Sequence, residues 1–119
     1  MLYLDVLRAL LFAILYGLME NRVFFEGDMD YSILTHFKLY HFCMFGLFAL
    51  AGFSTCFVTW VFNLVMMPLV QDISWFVFEG RWPRRDDWVN WGGFPLILGL
   101  PLVYWILGLV LLVLAVVFG

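Results

Sequence analysis

Charge is confined to two short windows of this 119-residue chain. Of its nine acidic and six basic residues, thirteen fall between Glu20 and Lys38 or between Asp72 and Asp87. The other two, Asp5 and Arg8, stand one helical turn apart, where they can pair. Apolar stretches fill the rest: Val6 to Met19, Leu39 to Val70 and Phe94 to Phe118. A soluble domain carries roughly a quarter charged residues, whereas this chain carries 13% and is 66% hydrophobic. So few charges cannot cover a water-facing surface. A soluble globular domain and a disordered tail are therefore excluded, and the net charge of -3 argues against binding nucleic-acid phosphate. The composition is that of an integral membrane protein.

The N-terminus has no basic stretch before its apolar run, and no small-residue cleavage site follows promptly. It reads as a retained first helix. Cys43 and Cys56 sit in apolar sequence. On one helix they would lie about 20 Å apart, too far for a disulfide, so both are expected to be small buried apolar residues.

The number of spans follows from the charge windows. About 20 residues cross the hydrocarbon core, so the first and last apolar stretches are single spans. Leu39 to Gln71 is uncharged for 33 residues, about 50 Å as one helix against a core of about 30 Å. Two spans folding back at Ala51-Gly52-Phe53-Ser54-Thr55 fit better, because Gly, Ser and Thr suit a tight helical hairpin. Four spans bring both charged windows to one side, where Arg22, Lys38, Arg81, Arg84 and Arg85 face Arg8 alone on the other. Three spans plus an interfacial segment would divide the basic residues four to two. The positive-inside tendency favours four, with the charged loops cytoplasmic. The expectation is an all-α, multi-pass membrane bundle forming one transmembrane domain, with helices near 3–20, 34–52, 54–79 and 94–118. Ala9, Ala13 and Gly17 form a small-residue stripe for close helix packing, and Pro68 falls inside the third helix. Trp82, Trp88 and Trp91 beside the arginines read as an interfacial belt.

Four spans also gather the chemistry. Glu20 and Asn21 end the first helix, His36 and His41 begin the second, and Asp72 and Glu79 end the third, all toward one face. Ionisable residues at membrane depth are costly and usually face a cavity or the bundle interior. Glu20, His36, His41, Asp72 and Glu79 are thus candidate ligands for a divalent transition metal such as zinc, iron or manganese. Asp72, Glu79 and His41 are the candidate acid-base groups. His36 and His41, five residues apart, cannot both ligate one metal from a regular helix, and no Glu-x-x-His, His-Glu-x-x-His or Cys-x-x-Cys motif is present. Arg81, Arg84 and Arg85 could clamp an anionic lipid headgroup, or simply anchor a cytoplasmic loop. The first functional expectation is metal-assisted chemistry on a lipid or small hydrophobic substrate. A non-catalytic subunit of a membrane complex and a small oligomeric cation transporter are the alternatives. Membrane lipid, further copies of the chain or partner membrane subunits are the expected partners.

Overall fold

The computed structural model describes residues 1–24, 39–84, 87, 89–90 and 94–119, with the backbone alone described at 23, 24, 39 and 40. Four α-helices dominate: α1 (Tyr3–Met19), α2 (Leu39–Ala51), α3 (Phe57–Glu79) and α4 (Leu102–Phe118). A π-helical turn, Glu20–Phe24, extends α1, and a two-stranded hairpin, β1 (Leu96–Ile97) and β2 (Leu100–Pro101), precedes α4. The all-α reading holds. Among the described residues α3 is long and apolar enough to cross a membrane, with a mean hydropathy of 1.5; α2 and α4 are shorter apolar helices.

The hairpin between α2 and α3 falls where the Gly-Ser-Thr sequence places it. Gly52 N–H donates to Phe48 O at 2.8 Å, and Asn63 Nδ2 donates to Gly52 O at 2.8 Å. A Cβ on Gly52 would stand 2.8 Å from Met67 Sδ and 2.9 Å from Phe48 O, so only glycine lets the turn lie against α3. Asp5 and Arg8 pair at 3.1 Å, and both also fasten this turn to α1. Ser54 Oγ donates to Asp5 Oδ2 at 2.6 Å, while Arg8 donates to Ala51 O at 3.1 Å and to Phe53 O. A cation against the last carbonyls of α2 also complements its dipole.

These contacts fix an up-down-up-down arrangement. Leu2 N–H donates to Thr59 Oγ1 at 2.9 Å, and the Met1 amine donates to Phe118 O at 3.1 Å. The start of α1, the α2–α3 turn and the end of α4 therefore share one end of the bundle. Glu20, the C-terminus of α3 and the start of α4 share the other.

Helix α3 is the hub, packing on α1, α2 and α4. Ala9, Ala13 and Gly17 are buried against it, as the small-residue stripe foretells. A Cβ on Gly17 would lie 2.7 Å from Gln71 O and 2.9 Å from Ser74 Cβ. Tyr16, Met44, Phe48, Met66 and Met67 fill the core around this seam. A second cluster, Trp75, Phe76, Val89 and Leu100, packs the hairpin region onto the end of α3.

Two expectations need correction. The last helix begins at Leu102, not near 94, because Pro95 and Pro101 bracket a turn with Leu98 at φ 52° and Gly99 at φ 84°. A residue before proline is pushed out of helical geometry, and consecutive positive φ values make a tight hairpin turn. The cysteines are free but not buried: Cys43 lies on the outer face of α2, and Cys56 precedes α3 partly exposed.

Candidate functional site

The charged end of the bundle is built around the close of α1. A π turn carries extra residue per turn, so neighbours that a regular helix would fan apart reach the same partner. Glu20 and Asn21 both reach α3. Glu20 is 3% exposed and Gln71 2%, and Gln71 Nε2 donates to Glu20 Oε2. Asn21 Nδ2 donates to Glu79 Oε2 at 2.8 Å and to Trp75 O at 3.2 Å. Arg22 donates to Phe78 O at 3.1 Å, placing a positive charge on the C-terminal carbonyls of α3.

Asp72 follows Gln71 on α3 and turns toward another helix, where Tyr104 Oη–H of α4 donates to Asp72 Oδ2. Asp72 still lies within electrostatic range of Glu20, as does Tyr16. The carboxylates of Glu20, Asp72 and Glu79 thus each accept a hydrogen bond from an uncharged side chain. Such donors satisfy lone pairs but bring no countercharge.

The arginines work elsewhere. Arg81 forms two bonds of 2.7 Å to Asp87, and its guanidinium lies 6.0 Å from the Trp75 ring centre and 5.3 Å from that of Phe76. That guanidinium holds the Asp87 carboxyl below the usual carboxylate range. Arg81 is therefore a strut holding Asp87 against the end of α3. Arg84 N–H donates to Asp87 Oδ2 and its carbonyl accepts from Asn90 at 2.6 Å, while its side chain remains exposed.

Glu20, Asp72 and Glu79 come to one end of the bundle on separate partners. His41 stands half-buried near the start of α2. Among the described residues no three of His, Cys, Asp and Glu converge as a metal-binding group. His36 and Arg85 lie outside the described residues. Gln71, Tyr104 and Asn63 are the polar partners that charge counting passes over. A signal existed: Thr59, Asn63 and Gln71 recur at multiples of four in an apolar helix, on the face turned to α1. No protein-family model, curated protein or solved structure matches the chain.

Proposed function

We propose that the chain is an integral membrane protein of four spans, with both charged connections cytoplasmic, and that its charged end takes up and releases a small cation, the proton first among them. The membrane reading draws support from the antiparallel order. It gathers Arg22, Arg81 and Arg84 at one end and leaves Arg8, paired with Asp5, at the other. Helix α4 buries no residue, and lipid is the solvent that suits its Leu and Val surface.

The observation that carries the cation reading is the Glu20–Gln71 contact. Gln71 Oε1 is buried and meets no donor among the described residues, while its Nε2 faces Glu20. The two ends of an amide exchange by a simple flip. With the flip, Glu20 and Gln71 present acceptor to acceptor, and a proton on the carboxyl joins them. In the orientation seen, ionised Glu20 accepts from Nε2. The pair therefore has a hydrogen-bonded arrangement for both protonation states. Asp72 and Tyr104, one residue further around α3, offer a second carboxylate through which the charge leaves. Metal-assisted lipid chemistry has weaker support, since the carboxylates turn to three different partners.

Proton uptake into liposomes, driven by a potassium diffusion potential and read by an internal pH dye, tests the function. Wild type is expected to carry proton current, and Glu20→Gln and Asp72→Asn to lose it. Uptake unchanged in both variants would sink the reading. Single cysteines replacing Thr55 and Arg84, in a chain lacking Cys43 and Cys56, are expected to label from opposite sides of the membrane. Labelling from one side refutes four spans.

A further inference from the structure

We infer that a cavity beside the C-terminus of α3 seats one anionic phospholipid of the cytoplasmic leaflet, with Arg84 as the phosphate contact and α3 as the wall for an acyl chain. The inference rests on the membrane reading above but is independent of cation uptake. The cavity, about 260 Å³, lies between α3 and the hairpin region. Ile73, Phe76, Val77 and Leu100 line its apolar part, and Arg81, Trp82 and Pro83 its rim. Pockets that enclose a whole small ligand run from about 300 Å³ upward. This one is sized for part of a ligand, and its apolar wall continues onto exposed α3 surface, with Val77 70% exposed.

The shape has a local cause. Gly80 ends α3 in the left-handed conformation at φ 81°, its N–H bonded to Phe76 O, so the chain leaves the helix sharply. A Cβ at Gly80 would meet nothing within 4 Å, so the space beside this turn is open. Leu100 closes the far side because the hairpin is pinned there. Trp82 Nε1 donates to Leu98 O, and Asn90 Nδ2 donates to Gly99 O at 3.0 Å.

The charge selects the occupant. Arg81 is neutralised by Asp87, which accepts both its bonds. Arg84 stands next to the rim residue Pro83 with its side chain in the open, and the Arg81, Asp87 and Arg84 group sums to one positive charge. An apolar slot with a tryptophan on its rim and the exposed Arg84 one residue beyond that rim is complementary to a phosphate head on an acyl chain. A zwitterionic head cancels its own phosphate and gains less.

Native mass spectrometry of the protein, released from nanodiscs of equal phosphatidylglycerol and phosphatidylcholine, reads the occupant. Wild type is expected to retain one phosphatidylglycerol in preference to phosphatidylcholine. Arg84→Gln is expected to lower that preference about fivefold, the worth of one arginine near an anionic surface. Val77→Trp, which fills the slot from its exposed side, is expected to remove retention of both lipids while leaving the thermal melt unchanged. Glu20→Gln is expected to keep wild-type retention, so loss of proton uptake and loss of lipid binding read separately. Equal retention of the two lipids by wild type, or a preference untouched by both Arg84→Gln and Val77→Trp, overturns the inference.

Discussion

Adding one methyl group at Gly17 should damage the bundle, whereas adding one at Gly46 should not. Both glycines lie inside helices, so each alanine substitution gains about the same helix propensity, roughly 1 kcal/mol. Their surroundings differ completely. The new Cβ at position 17 would stand 2.7 Å from Gln71 O and 2.9 Å from Ser74 Cβ, and at position 46 it meets nothing within 4 Å. The first obstacle is main chain of the hub helix, which no rotamer change can move aside. The α1–α3 seam must open, and an overpacked site of this kind costs about 1–3 kcal/mol. Because the propensity gains cancel, the stability difference between Gly17→Ala and Gly46→Ala isolates the collision at that same 1–3 kcal/mol. Reversible unfolding in mixed micelles of mild detergent and dodecyl sulfate measures it. Gly17→Ala should also loosen Glu20 from Gln71, whose carbonyl is the atom struck. Equal stability of the two variants would refute the close approach of α1 to α3, and with it the burial of Glu20.

Four further outcomes are expected. Arg81 lowers the Asp87 pKa in the folded protein, so this contact contributes stability above the unfolded carboxylate value of about 3.9 and loses it as pH falls through the lower folded value; Asp87→Asn should remove that acid-side step in an acid melt. Tyr104→Phe deprives Asp72 of its donor from α4 and should lower bundle stability by about 0.5–2 kcal/mol in the same micelle assay. Asn63→Leu leaves Gly52 O without its 2.8 Å bond and should cost about 1–2 kcal/mol. Thr59 lowers the Cys56 thiol pKa by hydrogen bonding, and Cys56 lies at the helix-free turn; in the proposed four-span topology a charged maleimide should label Cys56 and spare Cys43 on the outer face of α2.

Much of the architecture was legible because charge and glycine act locally. Gly52 and Ser54 marked the α2–α3 turn, and the repeat of Ala9, Ala13 and Gly17 marked the face that α3 covers. The start of α4 was not, since an apolar run from Phe94 hides the consequence of Pro95 and Pro101 for the eight residues before Leu102. For the site, Glu20, Asp72 and Glu79 could be short-listed from their depth in apolar sequence. Their partners could not, because Gln71 and Asp72 are neighbours that face different helices. Only the rotation of α3 assigns one to Glu20 and the other to Tyr104. Arg81, a candidate headgroup clamp or loop anchor by sequence, is held by Asp87 six residues away, a pairing that charge position alone does not specify.

The central place of α3 sets an order of events during synthesis. The small-residue face of α1 has its counterpart at Thr59 to Ser74, so that face stays uncovered until the third helix has been synthesised. Late long-range partners of this kind leave nascent segments open to chaperones and to wrong neighbours. The last helix arrives at a three-helix unit and is tied to it at both ends, by the Tyr104 bond to Asp72 and by the Met1 amine donating to Phe118 O. Until it docks, the Asp72 carboxylate lacks its Tyr104 donor, a natural mark by which quality control could tell an unfinished chain from a folded bundle.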